Sequence, residues 1–443
     1  MNARAAAAEQ IIDARYVVPV EPAGRVLERH AVVVGAGRIL ALLPSEEAAH
    51  AYPGVPRLQL PAHAVIPGLV NLHTHAAMTL MRGLADDLPL MEWLNRHIWP
   101  AEARHVSGDF VYDGTLLACA EMIRGGVTCF NDMYFFPEQA GRAVLAAGMR
   151  AALGIICIEF PTAYASDAQD YLHKGLATRD ALKHEPTLSF CMAPHAPYTV
   201  SDRSFERIVT YAGELEIPIH VHLHETEDEI RESLGRFGVR PLERLRALGV
   251  VGPGLIAVHA VHLEPFEIAL LRATGSHVAH CPSSNLKLAS GVAPVSGLLE
   301  AGVGVGLGSD GAASNNRLDL FEEMRLAALL AKGASRRPTS LPAERALAMA
   351  TLDAARALGL DGEIGSIVPG KSADLAAVNL GALEMSPCYH PISHLVYTAG
   401  RDQVTHTWVR GRPLLEERRL TTLDAGELAA KAAFWQQRIA PES

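Results

Sequence analysis

The stretch Ala64–His75, which reads AVIPGLVNLHTH, decides the fold because an apolar run ends there in two histidines separated by one residue. Side chains at positions i and i+2 of a β-strand point to the same side. His73 and His75 could therefore hold one metal ion from one side, at the end of the strand. An isolated His-x-His pair is more often two ordinary polar loop residues. What the other apolar runs supply decides between these two interpretations.

Seven further apolar runs follow, and helix-like segments separate them, which is the pattern of βα units. The eight predicted strands are Ala64–Leu72, Val127–Met133, Arg150–Ile158, Leu188–Ala193, Ile217–Leu223, Gly254–Val261, His277–His280 and Val303–Gly308. Eight such units close most naturally into a (β/α)8 (TIM) barrel, whose active site lies at the carboxyl ends of the strands. An open, doubly wound sheet is the alternative, and the strand count disfavours it.

The two ends of the chain have a different character from the centre. Residues 9–63 indicate a small antiparallel sheet, and short strands return at Ile364–Val368, Asp374–Val378 and Val404–Arg410, after a predicted helix over Pro342–Leu358. We expect both flanks to pair into one small composite β-sandwich domain. The predicted division is 1–63 for its first part, 64–362 for the barrel and 363–443 for its second part.

Composition excludes several classes of protein. The 443 residues are 49% hydrophobic, with a formal net charge of -10 and no cluster of Lys and Arg, so we expect no nucleic-acid partner. The six cysteines have no Cys-x-x-Cys spacing, which favours buried free thiols in a reducing cytoplasm. No segment is apolar over the length needed to cross a bilayer, and Met1–Gln10 does not resemble a signal peptide. The sequence therefore predicts a soluble cytoplasmic protein with no membrane partner.

The fifth predicted strand continues as IHVHLHET over Ile219–Thr226. Its three histidines alternate and would share one face if the strand continued that far. His222 is the best metal ligand because it lies nearest the end of the strand without leaving it. Glu225 begins the next loop, from which its carboxylate could reach above a metal.

Two more strand ends carry polar residues. The sixth strand ends in AVHAVH, which contains His259, and the eighth continues as GLGSDGAASNN, which contains Asp310. An acid directly after a Gly-rich strand is poorly explained by packing. The ends of strands one, five and eight thus supply three histidines and one aspartate, and they open onto the same face of a closed barrel. That donor set suits a catalytic Zn²⁺, although Fe²⁺ or Mn²⁺ accept the same ligands.

Two other motifs give weaker indications. His262-Leu263-Glu264 matches the first half of the zinc nucleobase deaminase signature, but no Pro-Cys-x-x-Cys follows it. Gly306-x-Gly308-x-x-Gly311 fits a dinucleotide-binding fingerprint, yet the residues after it are a poor start for a helix that would hold a pyrophosphate. We therefore reject the first and give little weight to the second.

Taken together, these motifs resemble the amidohydrolase superfamily, and within it the methylthioadenosine/S-adenosylhomocysteine deaminase family. The similarity covers nearly the whole chain, including GSIVPGKSADL over Gly365–Leu375, which resembles the return into the composite β domain. The stretches most similar to the deaminases are IWPAE at Ile98–Glu102, APHAPY at Ala193–Tyr198 and SDGAASNN at Ser309–Asn316.

The resemblance implies roles for individual residues. One Zn²⁺ per chain would be held by His73, His75, His222 and Asp310. Glu102 would bind the ribose hydroxyls of a small nucleoside and His195 would contact the nucleoside, although Glu102 could equally be an acid in the first turn of a helix. The family also suggests a homodimer.

The implied reaction adds water at C6 of an adenine ring and releases ammonia. Glu225 would protonate N1, while His259 and Asp310 would orient the water and transfer its proton. The expected substrate is 5′-methylthioadenosine, which would yield 5′-methylthioinosine, with adenosine or S-adenosylhomocysteine as lesser substrates. The family uses arginines after the third strand for the S-adenosylhomocysteine carboxylate, but this chain has no Arg between Arg150 and Arg179. Deamination or hydrolysis of guanine or a triazine, and a non-catalytic metal- or nucleoside-binding protein, are the alternatives.

Overall fold

A computed structural model of the chain describes residues 7–440. Part of the opening segment, Met1–Ala6, and the last three residues lie outside the described residues. The strands in chain order are β1 Gln10–Val17, β2 Leu27–Gly35, β3 Arg38–Pro44, β4 Arg57–Pro67, β5 Leu69–Thr74, β6 Val127–Asp132, β7 Arg150–Cys157, β8 Leu188–Pro194, β9 Ile219–Leu223, β10 Leu255–His259, β11 His277–His280, β12 Gly304–Leu307, β13 Leu375–Asn379, β14 Val404–Val409, β15 Arg412–Glu416 and β16 Arg419–Leu420.

Helices connect and cover these strands. The α-helices are α1 Ser45–Ala51, α2 Leu90–Trp93, α3 Trp99–His105, α4 Gly108–Arg124, α5 Pro137–Ala147, α6 Ala168–Leu182, α7 Asp202–Leu215, α8 Glu227–Phe237, α9 Pro241–Ala247, α10 Pro265–Thr274, α11 Pro282–Lys287, α12 Val295–Ala301, α13 Leu320–Ser335, α14 Ala343–Met349, α15 Leu352–Ala357, α16 Pro391–Tyr397 and α17 Ala425–Ile439. Short 3₁₀ helices span Ala76–Met81, Leu383–Met385 and Arg401–Gln403, and a π-helical turn spans Leu94–Ile98. No helix within residues 7–440 combines the length and apolar character needed to cross a bilayer.

Strands β5 to β12 form one sheet in sequence order, and every pair in it is parallel. The carboxyl end of the first strand meets the segment that follows the last strand, where the amide of Asp310 donates to the carbonyl of His73 at 3.0 Å. Asn71 and Ser309 bridge the same seam twice, since the Asn71 side chain donates to Ser309 Oγ at 2.7 Å and accepts from the Ser309 amide at 2.9 Å. The predicted (β/α)8 barrel is confirmed.

Glycine allows the strands to approach closely at this seam. A Cβ placed on Gly308 would lie 2.8 Å from the Cβ of His73 and 2.9 Å from its amide nitrogen. Any side chain there would separate the first strand from the last. The Gly306-x-Gly308 spacing is therefore explained by barrel closure, which leaves nothing for a dinucleotide fingerprint to account for.

The remaining strands form a second sheet drawn from both ends of the chain, in the order β16-β15-β14-β13-β4-β1-β2-β3. The two flanks join through the antiparallel pair β4 and β13, in which Ala64 faces Val378. The predicted composite β domain is confirmed, with one difference in detail. Strand β1 pairs with β4 in parallel, so the part formed by the first flank is not wholly antiparallel.

Three predicted elements were wrong. The run Ala64–Leu72 is not one strand, because β4 ends in the outer sheet at Pro67 and β5 begins in the barrel at Leu69. Ile364–Val368 is not a strand, since Gly365 adopts a φ of 89° that breaks the extended backbone. The predicted helix Pro342–Leu358 is two helices, α14 and α15, and between them the carbonyl of Ala350 accepts a hydrogen bond from the amide of Val70.

The other strands with predicted bounds are present, with ends shifted by at most two residues. The domain boundaries at 63 and 362 stay a prediction, and because β4 continues to Pro67 we propose Gly68 for the first of them. None of the six cysteines forms a disulfide, and all except Cys388 are buried.

Candidate active site

Four side chains meet at the carboxyl ends of the barrel strands. His73 and His75 come from the end of β5, His222 from β9 and Asp310 from the loop after β12. One ligand atom from each lies within 4.8 Å of the others. His73 Nε2 is 3.1 Å from Asp310 Oδ1 and 3.2 Å from His222 Nε2, while His75 Nε2 is 3.3 Å from Asp310 Oδ1. The group could hold one metal ion.

Hydrogen bonds on the outer nitrogens fix these three rings. His75 Nδ1 donates to the carbonyl of Met133 at 2.5 Å, and His222 Nδ1 donates to the carbonyl of His195 at 2.6 Å. His73 Nδ1 lies 2.9 Å from His220 Nε2. Each ring thereby presents Nε2 to the common point, which is how second partners orient metal-binding histidines.

Hydrogen bonds also fix the side chain of Asp310. Its backbone has a φ of 58°, in the left-handed region. Its Oδ1 accepts from the amide of Gly311 at 2.8 Å, and its Oδ2 accepts from the hydroxyls of Ser284 at 2.6 Å and Ser314 at 2.8 Å. Burial works against its charge, but hydrogen bonds from His73 and His75 outweigh burial and hold the pKa of Asp310 well below its usual range. The carboxylate is ionised and faces the histidines.

Glu225 follows β9 and is buried in the wall of the cavity. Burial raises its pKa, with the nearby Asp310 charge adding to the effect and His259 opposing it. Its position is set by Glu229, in the first turn of α8, whose two carboxylate oxygens accept from the amides of His224 and Glu225, both at 2.9 Å. A buried carboxyl with a raised pKa suits proton transfer.

The three alternating histidines of β9 have three different environments. His222 joins the ligand group and His220 contacts His73. His224 lies outside the strand with a φ of 54°, and its Nε2 accepts from the amide of Leu242 at the start of α9. The predicted common face therefore holds for His220 and His222 only.

His259 ends β10 with a φ of 71°. Its Nδ1 donates to Asn285 Oδ1 at 2.9 Å, so its Nε2 carries the lone pair, 3.9 Å from Glu225 Oε2. The ring of His259 stacks on that of His222 at a centroid separation of 5.4 Å. His259 Nε2, which can accept a proton, and the buried carboxyl of Glu225 therefore lie close together beside the four candidate metal ligands.

His195 and Glu102 line the same cavity farther out. His195 Nδ1 donates to Thr199 Oγ1 at 2.9 Å, and burial lowers the pKa of His195 to about 3, so the ring is neutral. Glu102 accepts a hydrogen bond from the Tyr134 hydroxyl at 2.7 Å. Burial raises the pKa of Glu102 to about 7, against the opposing effect of that hydrogen bond.

These groups line one cavity at the carboxyl ends of the strands. A second cavity, of about 380 Å³, adjoins it and shares the wall residues Trp99, Glu102, Phe135 and Ile158. Its remaining lining is mostly apolar or aromatic and includes Val106, Phe160 and Tyr164. Among the residues that line either space, all of them described, there is no lysine or arginine.

The eight residues predicted from the sequence all gather here: seven line the main cavity, and His73 belongs to the ligand group without lining it, while their roles stay predictions. Trp93 is buried and also lines the cavity. Sequence reasoning missed Tyr134, Asn285, Ser284 and Glu229. Only Glu229 carried a local signal, because Thr226 and Glu229 have the spacing of a helix capping box, and Thr226 Oγ1 does accept from the Glu229 amide.

Comparison with known proteins agrees with this geometry. The Amidohydrolase family matches residues 64–414, and the chain belongs to that family. A 5-methylthioadenosine/S-adenosylhomocysteine deaminase of Saccharophagus degradans is 48% identical over 432 residues, covering 98% of this chain and 97% of the relative. A 5′-deoxyadenosine deaminase of Methanosarcina mazei is 42% identical, covering 96% and 97%. The solved structure of an adenosine deaminase from Xanthomonas campestris with bound zinc has a TM-score of 0.97 and 48% identity, covering 98% of this chain and 99% of that one.

Proposed function

We propose that the protein is a metal-dependent hydrolase that deaminates a 5′-modified adenosine, with 5′-methylthioadenosine as its preferred substrate and 5′-methylthioinosine and ammonia as products. Adenosine and S-adenosylhomocysteine would be lesser substrates. One observation carries the proposal: a single cavity combines the four-residue ligand group, a buried acid and a proton acceptor with the carboxylate of Glu102 farther out. The deaminases to which the chain is 42–48% identical support the same assignment.

His73, His75, His222 and Asp310 would hold one Zn²⁺. The fit rests on the donor set, three imidazole nitrogens and one carboxylate oxygen, and on the hydrogen bonds that leave each Nε2 facing inward. A bound Zn²⁺ lowers the pKa of a coordinated water and so supplies the nucleophile at neutral pH. Fe²⁺ or Mn²⁺ would suit the same ligands, so metal analysis of the purified protein decides the native ion.

Glu225 would supply the proton that the adenine ring needs. Burial raises the pKa of this carboxyl and so favours its protonated form, and its place in the cavity wall would let the proton pass to N1 of the ring. Protonation at N1 makes C6 a better acceptor for the oxygen nucleophile. General acid catalysis of this kind contributes roughly 10²–10⁴-fold.

His259 and Asp310 would handle the proton of the attacking water. Because Asn285 fixes the proton of His259 on Nδ1, Nε2 is free to accept one. Asp310 is ionised at the start, so it would orient the water, accept its proton and then release that proton to the departing ammonia. Glu225 would thus act as the acid toward the adenine ring, while His259 and Asp310 would accept protons beside the attacking water.

Glu102 and His195 would select a nucleoside over a free base. The hydroxyl of Tyr134 donates to Glu102 Oε1, and the carboxylate would accept from the two ribose hydroxyls. Neutral His195, with its proton held on Nδ1 by Thr199, offers Nε2 as an acceptor toward the same ligand. Guanine and triazines lack a ribose and would gain nothing from either residue.

The adjoining apolar cavity would receive the 5′ substituent. It begins at Glu102, on the side lined by Trp99 and Ile158, and it offers no cationic side chain to a carboxylate. A methylthio group would bury apolar surface there, at roughly 25 cal/mol per Å². The homocysteine carboxylate would find no charged partner, which ranks S-adenosylhomocysteine below methylthioadenosine.

Ammonia release across a panel of adenosines tests the proposal. The panel holds 5′-methylthioadenosine, 5′-deoxyadenosine, adenosine and S-adenosylhomocysteine, with guanine and an aminotriazine as controls. We expect kcat/KM to be highest for methylthioadenosine and no ammonia from the controls. Turnover of guanine or the triazine above that of every nucleoside would contradict the proposal, and metal binding with no turnover of any compound would favour a non-catalytic protein.

We also propose that the protein acts in the cytoplasm as a homodimer. The disulfide-free, mostly buried cysteines support a reducing compartment. The dimer is supported by the family resemblance. Light scattering coupled to size-exclusion chromatography would measure the mass, and a monomer at micromolar concentration would contradict the dimer.

A further inference from the structure

We propose that His220 is a positioning residue for the metal site, because its ring accepts a hydrogen bond from His73 and so holds His73 with Nε2 toward the metal. The inference rests on the proposed function, since it requires a metal at His73, His75, His222 and Asp310. It concerns a side chain that lies outside that ligand group.

The three ligand histidines differ in what fixes their outer nitrogen. His75 and His222 each donate Nδ1–H to a backbone carbonyl, whose position the barrel determines. Within residues 7–440 no carbonyl accepts from the His73 ring in this way, and its Nδ1 lies 2.9 Å from His220 Nε2. His73 is also the central ring of the site, edge-on to His75, His222 and His259 at centroid distances of 4.8, 4.9 and 5.7 Å. The orientation of the His73 ring is therefore fixed by the His220 side chain and not by a backbone carbonyl.

The proton positions follow from this arrangement. When Nε2 of His73 binds a metal, Nδ1 carries the proton, so His220 Nε2 must be the acceptor and the His220 proton must sit on Nδ1. That Nδ1 is fully buried and finds no hydrogen-bond partner among the described residues. A buried donor without a partner is unfavourable for folding. An apolar residue at position 220 would avoid that cost. What the histidine contributes instead is Nε2, the atom that accepts from His73.

Strand geometry explains how the His220 side chain contacts His73. His220 and His222 are two positions apart on β9 and point into the barrel together. His222 belongs to the ligand group, whereas the His220 ring lies against His73 of β5 at a centroid distance of 4.9 Å. The IHVH sequence of β9 thus supplies both a ligand and the support for a ligand on another strand.

Zinc affinity of the metal-free protein separates support from simple core filling. The chain is stripped with a chelator and Zn²⁺ is titrated in competition with a chromophoric chelator. The matched variants are His220→Gln, which keeps an acceptor, and His220→Met, which has nearly the same shape but only a weakly accepting sulfur. His280→Met is the control, because His280 is also a buried barrel histidine yet contacts no ligand residue by a hydrogen bond in the described chain. Thermal melts of the metal-free forms report folding separately.

We expect His220→Met to weaken Zn²⁺ binding by roughly 10–100-fold, the usual effect of losing such a partner. His220→Gln should bind Zn²⁺ nearly as tightly as the wild type, and His280→Met should match it. Equal affinity of His220→Met and the wild type would overturn the inference, as would an equal loss in His280→Met or in His220→Gln. If His220→Met does not fold, His220→Asn, whose amide stops one methylene short, replaces it in the same comparison.

The same titration separates this inference from the proposed function. A wild-type chain that binds no Zn²⁺ contradicts the metal site itself and the inference with it. A wild-type chain that binds Zn²⁺ tightly, with His220→Met unchanged, contradicts only the role of His220.

Discussion

The two ends of the cavity are built by different means. At the metal end the polar groups lie on or just after barrel strands, and each is fixed by a hydrogen bond, as in the contacts of His75 with Met133 and of His259 with Asn285. At the far end the wall comes from helices and loops at residues 90–106 and 158–164, and its contacts are apolar, such as Trp99 against Phe160. Positions set by backbone and directional bonds suit bond-making chemistry, whereas apolar contacts can be exchanged without dismantling the site. The first end is expected to determine the reaction and the second the choice of nucleoside.

The sharpest way to break this comparison is Glu225→Gln, since an amide cannot supply a proton. We expect kcat to fall by about 10²–10⁴-fold with little change in KM. The measurement is loss of the adenine absorbance band, with exposed Glu227→Gln on the neighbouring helix as control. Turnover near that of the wild type would remove Glu225 from the chemistry.

Glu102→Gln tests the boundary between the two ends. The variant keeps an acceptor for Tyr134 but loses the charge that the ribose hydroxyls would meet, and hydrogen bonds to a charged group contribute about 1.5–3 kcal/mol each. We expect kcat/KM for methylthioadenosine to fall about 10–100-fold, mainly through KM. Glu92→Gln, on α2, where the side chain is partly exposed and paired with Arg96, should leave it unchanged. A loss confined to kcat would instead place Glu102 among the groups that do the chemistry.

The same substitution should stabilise the free protein at alkaline pH. Burial raises the pKa of Glu102 to about 7 from 4.5, so the folded state is penalised as pH rises from about 4.5 through 7, where the unfolded carboxyl is already ionised. Because the side chain is partly exposed, we expect Glu102→Gln to gain about 1–2 kcal/mol at pH 8 and almost nothing at pH 4.5. Urea unfolding at the two pH values measures this, and an equal gain at both would contradict the burial effect.

Glu229→Gln tests whether the Glu229 carboxylate positions Glu225. Only one atom of the amide can accept, so one of the amides of His224 and Glu225 loses its partner and faces an N–H group instead. Misplacing Glu225 in this way should lower kcat about tenfold without raising KM. Glu232→Gln, exposed on the same helix, is the control. An unchanged kcat would mean that Glu225 is positioned by other contacts.

The far end is expected to respond least. Phe160→Ala removes an aromatic side chain from the apolar cavity. The methylthio group would then bury less apolar surface, by roughly the area of one or two methylene groups, so the preference for methylthioadenosine over adenosine should fall about 3–10-fold. Adenosine itself should react at nearly the wild-type rate. Phe266→Ala, which removes an exposed phenylalanine of α10, should leave the preference unaltered. If both variants behave alike, the 5′ substituent lies elsewhere.

The sequence predicted the metal end far better than the far end. His73, His75, His222 and Asp310 could be found because each follows an apolar run, and the carboxyl ends of parallel strands meet at one edge. Ser284 and Asn285 could not, since they come from a short helix after β11 that nothing in its sequence directs toward Asp310 or His259. The lining of the second cavity was equally hidden, because apolar residues on loops look the same whether they pack in a core or face a ligand. Local pattern identifies strand ends, but tertiary packing decides which loops fold over them.

The seam between β5 and β12 has a consequence for biosynthesis. Two of the proposed ligands lie near residue 74 and the last at residue 310, and Asn71 meets Ser309 across the join. A ribosome-bound chain that has not yet exposed Asp310 lacks one of the four donors and has an open barrel. Metal capture by the complete ligand group is therefore expected only after about seven tenths of the polypeptide has emerged.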